Sequence, residues 1–182
     1  DANTLAESVS NGASAEITAS ASDADGTTNT VTYAINSQSC SGAFAIDSGT
    51  GAVTVADTSA IDYESGTTCT ITVRATSTDE STSDTVFTVT LTDVDEFDVG
   101  SATDTDSDAN TLAENVANGA SAEITASASD ADGTTNTVTY AINSQSCSGA
   151  FAINTGSGAV TVADTSAIDY ETATSCTITV RA

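Results

Sequence analysis

Apolar and polar residues alternate along this chain in short runs. In VTYAI (residues 31–35), Val31, Tyr33 and Ile35 fall on one face, the period of two expected of a half-buried strand. FAI (44–46), AVTVA (52–56), CTITVRA (69–75) and TVFTVTLTDV (85–94) behave likewise, each bounded by Gly, Asn, Ser or Asp. With AEITAS (15–20) and a first strand near Thr4–Val9, the pattern predicts about seven strands in the first hundred residues. The turns fall at the spacing of roughly 8 to 12 residues found in immunoglobulin-like sandwiches, and no helical period appears.

The pattern then repeats. Residues 108–182 copy residues 1–75 with a fixed offset of 107 and eight differences, at positions 8, 10, 47, 48, 50, 65, 66 and 68. A unit of roughly 100 residues can bury its own core, so two modules are expected: repeat 1 over residues 1–97, an acidic linker over 98–107, and repeat 2 over 108–182. The second copy stops at the counterpart of Ala75, and nothing after it matches TSTDESTSDTVFTVTLTDVDEF. The predicted fold is all-β, tandem seven-stranded Greek-key sandwiches, with the second lacking its last strand in this chain.

Charge changes the picture. The 26 acidic residues face 2 arginines, with no lysine and no histidine. Self-repulsion on that scale opposes compaction unless cations neutralise it. Acidic, aromatic-poor chains are often disordered, but here the apolar residues are concentrated in alternating runs. Nucleic acid and anionic membranes find almost no basic side chain to meet their phosphates, whereas divalent cations find many oxygens. General-base and nucleophile constellations are nearly empty, so an enzyme is not expected. No stretch is long and apolar enough to span a bilayer, and Asp1 begins inside a repeat, so the chain reads as an excerpt from a longer polypeptide.

The cysteines lie 29 apart in each repeat. Disulfides Cys40–Cys69 and Cys147–Cys176 are expected; the alternative is buried free thiols. Closing a loop of about 30 residues contributes about 3.5 kcal/mol in the chain-entropy account, and the bonds would indicate an oxidising, secreted setting.

Read in order, repeat 1 gives Glu7, then DADG, VTYAI, FAIDSGTGAVTV, AIDYE, ITVRA and DVDEF, and repeat 2 opens with LAENVANG around Glu114. This series resembles a cadherin repeat over its whole length, as found in secreted adhesins or surface filaments of bacterial type. In cadherins Ca²⁺ binds at junctions between successive repeats. The resemblance implies that Glu7, Asp62 and Glu64 form the base of repeat 1, that Asp93, Asp95 and Glu96 occupy the linker, and that Asp130, Asp132 and the Asn136 carbonyl cap repeat 2 from above. The corresponding positions are Asp23, Asp25 and Asn29 at the top of repeat 1, and Glu114, Asp169 and Glu171 at the base of repeat 2. Such a set suits Ca²⁺, which takes six to eight hard oxygens at flexible geometry. Each motif has a plainer reading: DADG as an Asp-Gly turn, IDYE as a solvated strand end with Tyr63 in packing. Asp104–Asn110 (DTDSDAN) lacks the glycine and glutamate of an EF-hand loop and reads as acidic linker.

Departures from the family pattern bear on the ion count. DVDEF replaces D-x-N-D-N, and Ser77 stands where an aspartate is usual, leaving open whether Asp79 substitutes. The function these features imply is a calcium-stiffened structural or adhesive segment of a long extracellular protein, its partners being neighbouring repeats. The alternatives are a glycan- or ice-binding module, which exposed aromatics or a flat, regular threonine array would favour, and a polymer subunit joined to copies of itself by strand donation at the open edge of repeat 2.

Overall fold

A computed structural model describes residues 3–182, folded as two compact units divided between Asp95 and Glu96. Unit 1 contains seven strands: β1 (Thr4–Ala6), β2 (Ser14–Thr18), β3 (Val31–Gln38), β4 (Phe44–Ile46), β5 (Ala52–Val55), β6 (Thr68–Ser77) and β7 (Thr82–Thr92). They form two sheets, β1-β7-β6-β3 and β2-β5-β4. The β1–β7 pair is parallel and the other neighbours antiparallel. Ile71, Val73, Val89 and Leu91 from the first sheet and Ile17, Phe44, Val53 and Val55 from the second are buried together between the layers. A fully buried side chain of this size contributes about 1.5–3 kcal/mol relative to exposure, and β-branched residues fit the pleated surface.

The predicted strand centres are all present, but their ends differ. In the long hairpin, β6 (to Ser77) and β7 (from Thr82) reach further toward their connecting turn than the apolar pattern suggested, while β7 ends at Thr92, two residues short of it. Its ends are held by cross-strand hydrogen bonding of polar residues such as Thr76 with Thr82, which a hydrophobic period does not register. The first strand is shorter than expected because only Thr4–Ala6 finds a partner on β7. In unit 1 a 3-10 turn, Thr58–Ala60, is capped by Asp57. At the β2 bulge Glu16 adopts φ 55° while its N–H is held by Ser14 Oγ, a left-handed conformation that costs a β-bonded non-glycine about 1–3 kcal/mol. Gly51, at φ +73°, could carry no Cβ without running into the Ala19 carbonyl.

Disulfides join Cys40 to Cys69 and Cys147 to Cys176, as expected. Cys69 is fully buried and ties β6 to the segment leading into β4.

Unit 2 repeats the smaller sheet as β9 (Ser121–Ser127), β11 (Phe151–Ile153) and β12 (Ala159–Val162), and of the larger sheet retains β10 (Ala141–Gln145) paired with β13 (Ile178–Arg181). The counterpart of β1 is not a strand here. The segment read as linker contributes β8 (Thr103–Asp104), which adds a fourth strand to the smaller sheet by pairing with β9, giving the order β11-β12-β9-β8. The bond from Thr125 N–H to Asp104 Oδ1 anchors it. No helix among the described residues is long and apolar enough to cross a membrane.

With no proline in the chain, aspartates set many turns. Asp47 Oδ1 accepts from Gly49 N–H, Thr50 N–H and Thr50 Oγ1. Those bonds, the Thr50 amide above all, hold its carboxyl below the usual value of 3.8. Its counterpart Asn154 accepts from Gly156 and Ser157 N–H in the same turn without a charge. Because the folded-state value is depressed, the stabilisation from Asp47 is complete above about pH 4 and is lost as pH falls through the folded value. Asp47→Asn should therefore melt close to the parent at pH 7 and retain more of its melting temperature at pH 3. Equal losses for parent and variant on acidification would show that this turn is no source of acid sensitivity.

Candidate metal centre

At the base of unit 1 three short segments converge on Glu7, just past the end of β1. Its Oε2 accepts from Tyr63 N–H and its Oε1 from Val94 N–H, both at 2.7 Å. One carboxylate thus ties the IDYE turn to the chain leaving β7. That turn is itself built by Asp62, whose two oxygens accept from Ser65 N–H (3.0 Å) and Ser65 Oγ (2.8 Å); these bonds, the hydroxyl first, keep its carboxyl below the ordinary value. Glu7, Asp62 and Glu64 each bring a carboxylate oxygen within 4.8 Å of the others, and Asp93 reaches Glu7 and Glu64 within the same distance. Asp95 is exposed. Within unit 1 the structure therefore gathers four of the acids expected there, from positions 7, 62, 64 and 93.

At the opposite end of unit 1 Asp23 and Asp25 cluster with Asp79, their oxygens again within 4.8 Å of one another. Sequence reasoning left Asp79 open. Ser77, in the usual aspartate position, is nearly buried and donates its hydroxyl to Asp23, while the hairpin turn carries Asp79 back over the loop, its Oδ1 accepting from Ser81 N–H. Two residues of displacement around a tight turn moved the carboxylate without removing it. Asn29 is exposed.

Unit 2 presents the same DADG loop in a different environment. Asp132 N–H donates to Asp130 Oδ1 at 3.2 Å, and Glu96 N–H donates to Asp132 Oδ1 at 3.3 Å. Gly100 N–H donates to the Ser129 carbonyl at 2.8 Å, so residues 96–100 run across the loop. Asp132 is left 1 % exposed, and its Oδ2 is buried with no hydrogen-bond partner. A buried carboxylate oxygen without a donor carries a desolvation penalty of several kcal/mol that a cation would offset. Asp132 thus passes the test of fit to a hard divalent ion. Asn136 is exposed.

The base set of unit 2 is looser. Glu114 Oε2 accepts from Tyr170 N–H at 3.3 Å, where Glu7 has two short bonds. Asp169 repeats the turn of Asp62, accepting from Thr172 N–H and Oγ1 and from Glu171 N–H, with its carboxyl again held down chiefly by the Thr172 hydroxyl. Asp106, Asp108 and Glu123 also crowd within 4.8 Å. Asp104, read as linker acid, is a structural acceptor for the Thr125 and Asp106 amides and the Asn110 side chain.

A model of the cadherin domain matches residues 4–95 and 108–182, and the chain belongs to the cadherin domain family. Its fold is shared by solved structures of protocadherin gamma B2 extracellular cadherin domains 1–5 (TM-score 0.76, 20% identity, 97% of this chain and 36% of that one), mouse cadherin-23 EC22–24 (0.69, 24%, 94% and 53%) and mouse protocadherin-24 EC1–3 (0.70, 20%, 99% and 60%). The chain thus spans between about a third and three fifths of those molecules. No curated protein sequence matches it.

The two-armed Glu7 carboxylate should matter more than its one-armed counterpart. In chelator, Glu7→Ala is expected to destabilise unit 1 by about 2 kcal/mol, from the loss of two charge-assisted bonds, and Glu114→Ala to cost unit 2 less than about 1 kcal/mol. Denaturant unfolding followed by a probe in each unit measures both, and equal costs would remove the clamp from the account of unit 1.

Proposed function

We propose that the chain is a calcium-binding structural or adhesive segment of a long extracellular protein or fibre, of the bacterial adhesin or surface-filament type. The observation that carries the calcium assignment is Asp132, whose buried Oδ2 has no protein donor. Three features support the wider reading: acids gathered from distant positions at the base of unit 1, a family of extracellular adhesion-type repeats, and a disulfide in each unit, which suits an oxidising compartment.

In this proposal Asp130 and Asp132 bind with the Asn136 carbonyl at the top of repeat 2. Glu7, Asp62, Glu64, Asp93, Asp95 and Glu96 supply the remaining oxygens, as the order of the family's motifs implies, and Asp23, Asp25, Asp79, Asn29, Glu114, Asp169 and Glu171 serve successive repeats in the same way. Calcium supplies positive charge where carboxylates would otherwise repel, at roughly 1 kcal/mol per pair even in water. Stiffness of the array then follows calcium concentration. No catalytic role is proposed.

The threonines do not favour ice binding over this reading. On the outer face of β6 and β7, Thr68 pairs with Thr90 and Thr70 with Thr88, but the next positions hold Thr72 opposite exposed Val86, then the Arg74–Asp84 ion pair. The regular array ends after two rows.

Extracellular modules bind Ca²⁺ with dissociation constants of about 10⁻⁴–10⁻³ M, so 10 mM Ca²⁺ should stabilise by up to about 2.7 kcal/mol per ion. Differential scanning calorimetry and small-angle scattering with calcium and with chelator should show a higher melting temperature and a more extended, less variable particle in calcium. Asp132→Asn should melt higher than the parent in chelator, where it removes a buried charge, and respond less to calcium. A parent chain indifferent to calcium would overturn the proposal.

A further inference from the structure

Asn11 and Asn118 are the asparagines of this chain that precede a glycine. The pairing is chemically labile, because glycine has no side chain to hinder attack of its nitrogen on the neighbouring asparagine. The turn between β1 and β2 nevertheless needs it. Gly12 sits at φ +86°, where a Cβ would meet nothing, so the position demands glycine for its backbone angle and not for lack of room. Ala13 N–H closes the turn on the Ser10 carbonyl at 3.1 Å, which puts Asn11 and Gly12 at the two central positions of a turn of type II form. In unit 2 Gly119 has φ +85°, and Ala120 N–H bonds the Ala117 carbonyl at the same 3.1 Å.

Three further bonds hold the reacting groups. Gly12 N–H donates to the Val55 carbonyl at 2.7 Å and Val55 N–H to the Ala13 carbonyl at 2.9 Å, stitching the turn to the buried end of β5. Asn11 Oδ1 accepts from Thr58 N–H at 2.9 Å, at the start of the 3-10 turn. Unit 2 repeats all three, with Gly119 on Val162 at 2.7 Å, Val162 on Ala120 at 2.9 Å and Thr165 on Asn118 at 2.8 Å. Both Asn-Gly pairs are exposed, so water reaches them. The attacking nitrogen, however, is engaged, and the side chain it must reach is pinned.

We propose that Asn11 and Asn118 are deamidation sites gated by the opening of this turn. In the reaction the Gly12 nitrogen loses its proton to water and bonds to Asn11 Cγ, the Cγ–Nδ2 bond breaks, and ammonia departs. Water then adds to one of the two carbonyls of the succinimide and opens it to aspartate or isoaspartate. The first step needs the Gly12 nitrogen free of Val55 and the Asn11 side chain free of Thr58, so it proceeds from the opened turn. Isoaspartate lengthens the backbone by one atom, and the turn cannot close again on the same bonds. Either product adds a negative charge to a chain of 26 acids and 2 arginines. Deamidation thus records, irreversibly and separately for each unit, how long the turn has stood open.

The test incubates the intact chain in chelator at mildly alkaline pH, natively and in denaturant, so its outcome does not depend on calcium. Cleavage after Arg74 separates Asn11 from Asn118, and the mass gained on exchanging the amide for a hydroxyl is read at each. Rearrangement at Asp25–Gly26 or Asp132–Gly133 returns the parent mass and is not counted. In denaturant both sites should react ahead of every other asparagine, and in the native chain at least about tenfold more slowly. Thr58→Pro removes the N–H that pins Asn11, at the first position of a 3-10 turn and after an extended Asp57 (φ −140°, ψ 108°), where proline fits. It should speed native deamidation at Asn11 about fivefold, the worth of one hydrogen bond, and leave Asn118 at the parent rate. Thr165→Pro should do the reverse, and Thr58→Ala, which keeps the N–H, should change neither. Equal rates in native and denatured chains would overturn the proposal. So would a proline variant that leaves its own site at the parent rate, or a Thr58→Ala chain that reacts as fast as Thr58→Pro.

Discussion

The pairing of β6 with β7 is the interaction on which most of unit 1 depends. It runs for nine cross-strand residue pairs, from Thr68↔Thr90 to Thr76↔Thr82. Its inner positions are Cys69, Ile71, Val73, Val89 and Leu91, so the same ladder that satisfies the backbone closes the core. It carries the buried end of the disulfide and offers β1 an edge. The chain emerging from it delivers Val94 N–H to Glu7. Unit 2 differs in its larger sheet. Among its described residues the β1 segment forms no strand, β10 pairs with β13 alone, and Glu114 accepts from Tyr170 at 3.3 Å.

A chain with 26 acids and 2 arginines cannot neutralise itself through ion pairs, and among the described residues Arg74–Asp84 is the ion pair present. Many aspartates are instead used as backbone acceptors. Asp47, Asp57, Asp62, Asp104, Asp164 and Asp169 each bind N–H groups one to three residues on or across a strand, and hydrogen bonds keep each of them more acidic than usual. This use of aspartate replaces proline as the turn former, since a carboxylate accepting local amides fixes a turn much as a backbone carbonyl would. It also separates the acids into two kinds. Some, such as Asp47 and Asp57, set local turns alone, whereas Glu7, Asp62, Glu64 and Asp93 are brought together from distant positions despite their repulsion.

Period and composition made the fold readable. Val31, Tyr33 and Ile35, or Val53 and Val55, alternate so regularly that the inward face of each strand could be named before any pairing was known, and the 29-residue cysteine spacing placed both disulfides. What the sequence hid was non-local. Thr103–Asp104 has no apolar alternation, and it becomes a strand because Asp104 can accept the Thr125 amide. The left-handed backbone at Glu16, and again at Glu123, is imposed by a bulge whose existence depends on the neighbouring strand. Asp79 reached the Asp23–Asp25 cluster through the geometry of the turn at Glu80, where φ is 70°, and no count of residues along the motif gives that turn.

The two copies of DADG show how far a motif determines a site. Asp25 and Asp132 have identical neighbours in sequence, yet Asp25 is exposed and Asp132 is buried with one oxygen unpartnered. Within unit 2 the segment Glu96–Gly100 bonds across the loop at Asp132 and Ser129. An exposed aspartate pair is hydrated and gains little from exchanging water for a cation, whereas a carboxylate already stripped of water gains most of the ion's attraction without a further desolvation cost. The loop supplies the carboxylates, and how far each is stripped of water depends on what lies over it. The same aspartate of the motif can therefore stand exposed in one unit and buried in the other with no change in its own identity.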